Sequence, residues 1–294
     1  MATIPAAIDC EFDAEFDHYV GIDWSGAAQP GYAGIAVARC VAGRAAPQLV
    51  KPPGKTWTRS SVLDWLRAEL ARPQRLLVGF DFAFHLPGDG RAASVLWAEV
   101  EARCTNEPDL LGRAYAEGDP RFWTAGPQPK GWNERPRRAE TACREAGLGN
   151  PQTPFQLIGA KQVGKGALAG MRLLHRLETQ VRERVAIWPF DTSAGQDRRS
   201  VCVEIYPRLY IRKAGFGNAK LRSREDINHV LNALASIGLS PAKTASSARV
   251  EFDDHEADAL VTAAGLREAA SKPALWAAGA GEPEGWIFGV PKPA

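Results

Sequence analysis

The sequence predicts an α/β fold built on a mixed sheet. Three observations carry that expectation. Short β-branched segments divided by turn residues open the chain. An amphipathic stretch then leads into a run apolar on both faces, and the second half returns to strands followed by strong helical patterns. No G-x-G-x-x-G follows the first strand, which argues against a dinucleotide-binding fold.

The first strand is His18 to Asp23, HYVGID, with a β-branched centre and the turn Asp-Trp-Ser-Gly at its end. A second runs from Tyr32 to Val41 after Gln29-Pro30-Gly31, and a weaker third covers Gln48 to Val50. The short Gly- and Pro-containing gaps make these an antiparallel meander. Ser60 or Ser61 opens a helix to about Ala71, with Val62, Leu63, Leu66 and Leu70 as its stripe. Arg75 to Phe80, RLLVGF, is continuously apolar and reads as a central buried strand.

Residues 85–184 break this pattern. They mix helical pieces with loops rich in Pro, Gly, Trp and Arg, as an insertion or cap between the fourth and fifth core strands does. Inside it, Gly166 to Arg184 reads as a helix with Leu168, Met171, Leu174 and Leu177 inward. Val185 to Trp188 and Ser200 to Tyr206 read as strands. Ser223 starts a helix whose face is Ile227, Val230, Leu231, Leu234 and Ile237, and Gly238 stops it. A last helix covers Asp254 to Ala270. The whole chain, 1–294, is expected to be a single domain.

Lys and Arg total 36 against 34 Asp and Glu, so a chain that coats nucleic acid by bulk charge is excluded. Five Cys without a C-x-x-C pair support neither a zinc ribbon nor a disulfide scaffold, and read as buried free thiols. The acidic start, Asp9 to Asp17, has the wrong charge for a targeting peptide, and no apolar run approaches the ~18 residues of a membrane span. These features lead to the expectation of a cytoplasmic protein with no membrane partner.

Four acids stand at the ends of, or inside, apolar segments: Asp23, Asp81, Glu204 and Asp258. An acid there is costly unless its charge is compensated. Asp23 and Asp81 can serve turns, and Glu204 can pair with Arg208 or Arg212. Asp258 is harder to place so simply. Asp253 and Glu256 form a capping box and Asp254 suits the first turn, whereas Asp258 lies beyond it, beside the stripe that faces the sheet. His255 and Asp254 lie three and four residues earlier, near the same face.

VGIDWSG, LLVGFD and HEADAL together resemble the ribonuclease H-like nuclease fold, the last being similar to the terminal helix of Holliday-junction resolvases. VGIDWSG, GFDFAF, Ile187 to Phe190, VEIYP and DALVTAA, taken in order, resemble the domain-of-unknown-function 429 family. The resemblance covers about residues 18 to 270. It implies a five-stranded mixed sheet, and Mg²⁺ or Mn²⁺ held by Asp23, Asp81 and Asp258. A fourth acid is expected from the first helix, where Asp64 and Glu69 are poorly placed, so Glu204 stands in as the candidate. His255 is the candidate proton shuttle. The activity implied is metal-dependent phosphodiester hydrolysis on DNA or RNA. The alternatives are a non-catalytic nucleic-acid- or nucleotide-binding protein and a nucleotide-dependent phosphotransferase.

A substrate surface is expected between Ile205 and Arg224, which holds Arg208, Arg212, Lys213, Lys220, Arg222 and Arg224 and no acid, with Tyr206, Tyr210 and Phe216 interleaved. The bland alternative is a solvated loop with buried rings. A second basic group is Arg135, Arg137 and Arg138, near Trp123 and Trp132. Gly159 to Gly166 almost spells a P-loop, but Gly stands where the Mg²⁺-binding hydroxyl belongs. Lys161 and Lys165 there remain candidates for holding a phosphate.

Overall fold

A computed structural model describes residues 15–27, 34–130, 132, 134–159, 162–217, 220–240 and 252–293. The strands are β1 His18–Asp23, β2 Ala36–Val41, β3 Gln48–Leu49, β4 Leu76–Phe80, β5 Val185–Ile187 and β6 Ser200–Glu204. The helices are α1 Arg59–Leu70, α2 Ala93–Arg103, α3 Arg113–Ala116, α4 Arg138–Glu145, α5 Gly164–Val181, α6 Pro207–Lys213, α7 Arg224–Ala233, α8 Asp254–Ala270 and α9 Pro273–Ala278.

The fold is α/β on one mixed sheet in the order β3-β2-β1-β4-β6-β5. β1, β2 and β3 form the antiparallel meander, and β4 lies parallel to both β1 and β6. The sheet has six strands, as many as the residue patterns give and not the five that the resemblance implies. The extra one is β5, a short apolar VAI that pairs parallel with the outer side of β6. The strand beside β4 is thus β6, which carries Glu204.

Side-chain alternation divides the core in two. Tyr19, Leu77, Val201 and Val203 pack on the α8 side. Val20, Ile22, Leu76, Val78, Phe80 and Cys202 pack on the other side, with α1, α2 and α5. α8 lies almost directly on β1 because β1 carries Gly21. A Cβ there would stand 2.5 Å from Ala259 O and 2.8 Å from Ala263 N. A strand with any larger residue at 21 would push α8 outward.

Several boundaries move for local reasons. α5 starts two residues earlier than Gly166, at Gly164, whose amide donates to Gln156 O at 2.9 Å. Ser223 caps α7 as expected, but the helix ends at Ala233 and Ala235 takes the left-handed conformation, φ 54°. Gly238 is therefore not the stop, and Ile237 is exposed rather than on the helix's inner face. Residues 85–159 carry α2 to α4 and a 3₁₀ turn at Pro108–Leu110, and α5 completes the segment between β4 and β5. Cys40, Cys104, Cys143 and Cys202 are buried free thiols, and Cys10 lies outside the described residues. Among the described residues no helix is long and apolar enough to cross a membrane.

Candidate functional site

Parallel pairing opens the carboxyl ends of β1 and β4 at the same edge of the sheet. Asp23 is the last residue of β1, and Asp81 directly follows β4. The Asp81 amide donates to Ile22 O at 3.1 Å, which continues the ladder and sets the two acids side by side. The first turns of α8 cross this edge and add Asp254, His255 and Asp258. Together with Trp24, Arg208, Lys220 and Leu221, these five residues line a cavity of about 330 Å³.

The supports are local and specific. Buried Arg59 donates from Nη1 to Ser25 O at 2.8 Å and to Ala27 O at 3.1 Å, fixing the turn after β1. Trp24 Nε1 donates to Gly166 O at 3.1 Å and ties that turn to α5. Asp253 caps α8, accepting from the Glu256 amide at 2.8 Å, and Glu256 returns the bond at 3.1 Å, the expected capping box. Lys220 pairs with Asp254, with Arg222 Nε at 3.6 Å from the same carboxylate. The basic loop thus lands on the first turn of α8.

Burial pushes the pKa of all three core aspartates up. Asp81 stands well above the usual carboxylate range, through desolvation first and then the charges of Asp23, Asp258 and Glu204. Asp258 is pushed up to about 7 by desolvation and by Asp23, against the opposing charge of Arg208. Asp23 is raised by desolvation, while its bond to His255 pulls the other way. That bond, His255 Nδ1 to Asp23 Oδ2, is 2.5 Å long and raises the histidine. A carboxylate accepts, so Nδ1 carries the proton. Among the described residues, no hydrogen bond or salt bridge reaches the Asp81 or Asp258 carboxylate.

Glu204 is not in this cluster. It pairs in register with Phe80, which faces the α5 side, whereas Asp23 is in phase with Tyr19 on the α8 side. Its carboxylate is held by Arg137. Nη1 donates to Oε2 at 2.8 Å, Nη2 bonds Oε1, and the Phe84 amide donates to Oε2 at 2.9 Å. Glu140 takes the same guanidinium through Nε at 2.9 Å, and all three side chains are buried. The partner of Glu204 is therefore neither Arg208 nor Arg212 but an arginine 67 residues earlier, in the insertion. The only sequence signal was the helical spacing of Arg137 and Glu140.

Of the other candidates, Arg208 alone among Arg208, Arg212 and Lys213 lines the cavity. Arg212 Nη1 donates to Gly147 O at 3.3 Å and Lys213 Nζ to Gly289 O at 3.0 Å, both elsewhere. Tyr210 is a core residue, as the bland alternative had it. Lys165 Nζ donates to Gln162 Oε1 at 3.1 Å, and Lys161 lies outside the described residues. The P-loop-like run follows no strand, only an isolated bridge between Trp123 and Gln156. Asp64 is exposed, and Glu69 pairs with Arg72 at 2.7 Å.

No protein family, curated protein or solved structure matches this chain. The site's chemistry therefore rests on its own geometry. Among the described residues, no group of three His, Cys, Asp or Glu side chains is placed to hold a metal ion. The donor set fits a hard divalent cation in kind. Four aspartates line one cavity, and among the described residues neither Asp81 nor Asp258 has a hydrogen-bonding or salt-bridge partner.

Proposed function

We propose that this protein is a metal-dependent phosphodiester hydrolase of ribonuclease H-like fold, acting on nucleic acid. The observation that carries the reading is the Asp81 carboxylate, set against Asp23 and Asp258 and, among the described residues, met by no hydrogen bond or salt bridge of its own. Such an arrangement stores repulsion that a cation relieves. Asp23, Asp81 and Asp258 would hold Mg²⁺ or Mn²⁺. A bound divalent ion lowers the pKa of an attacking water and screens the phosphate's charge.

The chain's own residues supply the rest. Arg208 and Lys220 bring positive charge to the cavity, where a phosphate is attracted. Asp23 orients His255 and keeps a proton on Nδ1. With its pKa raised by Asp23, the half-exposed imidazole is suited to give a proton to a leaving oxygen. Arg137 holds Glu204 on the far side of Asp81, so Glu204 acts on the site through its charge.

A second reading, nucleic-acid binding without catalysis, is favoured by one observation: the fourth acid is already taken by Arg137. Cleavage of labelled single-stranded, duplex and junction oligonucleotides in Mn²⁺ separates the two. Hydrolysis lost in Asp81→Asn supports the hydrolase. Metal-independent binding with no cleavage by the folded wild type selects the second reading.

A further inference from the structure

A second cavity, of about 190 Å³, opens on the other side of Asp81 and Trp24, which line both cavities. Its walls have a different chemistry. The first cavity is lined mainly by acids and cations. The second is lined by the buried rings of Trp24 and Phe82, the partly exposed ring of Tyr206 and the side chains of Gln152 and Gln162, together with the buried Arg137, Glu140 and Glu204. Its volume is below the roughly 300 Å³ of a drug-sized pocket, which suits one ring system rather than a stacked pair.

The placement of Tyr206 is built in. It is the residue before α6, and the loop at Gly149 closes on its ring. Gly149 has φ +136°, and a Cβ there would stand 2.6 Å from Tyr206 Cε1, so only glycine lets the loop approach so closely. Arg208, two residues on, lines the carboxylate cavity. One short stretch thus offers a ring to the second cavity and a cation to the first.

The amides are complementary to each other. Gln152 Nε2 donates to Asn150 O at 2.7 Å, and its Oε1 accepts no bond among the described residues. Gln162 Oε1 accepts from Lys165, and its Nε2 donates to nothing among them. One acceptor and one amide donor therefore remain at the cavity wall. The partly exposed Tyr206 ring, with a donor and an acceptor at the wall, matches an unpaired nucleobase.

We propose that the second cavity binds one unpaired base of the strand whose phosphate lies at Asp23, Asp81 and Asp258. The substrate is then single-stranded or locally unpaired. This rests on the hydrolase reading and adds to it the substrate class.

The test compares two small ligands by calorimetry on the full chain in Mn²⁺. One is a deoxynucleoside 3′,5′-bisphosphate, and the other is deoxyribose 3′,5′-bisphosphate, identical but for the base. The base should tighten binding about tenfold. Tyr206→Ala should erase that ratio and Tyr206→Phe keep it. Should Tyr206→Ala unfold, the double variant Gln152→Ala, Gln162→Ala carries the test, with the ratio falling about fivefold while deoxyribose bisphosphate binds as before. Equal binding of the two ligands by wild type overturns the base subsite and leaves the hydrolase reading standing. A base preference indifferent to these substitutions also overturns it, because the base then sits elsewhere. Binding of neither ligand overturns both.

Discussion

Replacing Asp258 by asparagine should make the metal-free protein more stable. The Asp258 carboxyl is pushed up to about 7 from an ordinary 3.8 by burial and by Asp23. At about 1.36 kcal/mol per pH unit, keeping it ionised above neutrality costs about 4 kcal/mol. The side chain is partly exposed at the cavity, and solvent screening brings the expected gain down to about 2 kcal/mol. The sign follows from linkage. A carboxyl raised in the folded state keeps its proton at pH values where the unfolded chain has released it. Its contribution is most favourable below about pH 4 and is lost as pH rises to about 7. Asparagine has no such loss, so the difference should appear in urea unfolding near pH 7.5 and shrink near pH 4. Saturating Mn²⁺ should stabilise the wild type and not the variant. A variant less stable than wild type at neutral pH would refute the claim that burial and the Asp23 charge outweigh Arg208 and His255 at Asp258.

Other consequences are as direct. Arg137→Met should destabilise the fold by about 3–5 kcal/mol, because Glu140 and Glu204 are left buried without their cation. Converting both glutamates to leucine in that background should recover most of the loss in chemical denaturation. Gly21→Ala should cost about 1–3 kcal/mol, since its Cβ would press on the α8 backbone, and should weaken Mn²⁺ binding by displacing Asp258. Apparent Mn²⁺ affinity should rise with pH, by at least about tenfold per unit below about 7, because the ion must displace the protons that the raised Asp258 and Asp81 carboxyls hold. Affinity that does not change between about pH 6 and about pH 8 contradicts the placement of Asp258 beside the ion.

Much of the fold was legible because alternation and helical period are local. HYVGID, RLLVGF and SVCVE each announce a buried strand, and the Asp253 to Glu256 capping box announces α8. Asp23, Asp81 and Asp258 could be picked out for the same reason: each breaks a local apolar pattern. Glu204 breaks one too, yet lies on the other face. Strand parity within a sequence does not say which residue of a neighbour stands opposite, and the Glu204–Phe80 register decides it. Arg137 was hidden for a related reason. Its charge is matched across a fold contact, and beside Arg135 and Arg138 it reads as part of a basic group in the insertion. The left-handed residue at Ala235 could not be foreseen where a glycine stood three positions on. The edge strand was legible too, as Val185 to Trp188, and only the resemblance implied a sheet of five strands.

The central claim is that the Asp23, Asp81 and Asp258 carboxylates form a divalent-metal site. Mn²⁺ titration by calorimetry, with a non-hydrolysable oligonucleotide phosphate analogue present, addresses it most directly. The analogue is needed because substrate oxygens complete such sites. Saturable binding by the wild type that is lost in folded Asp81→Asn is the predicted result. Equal binding by the two proteins, or none by the folded wild type, would contradict the account.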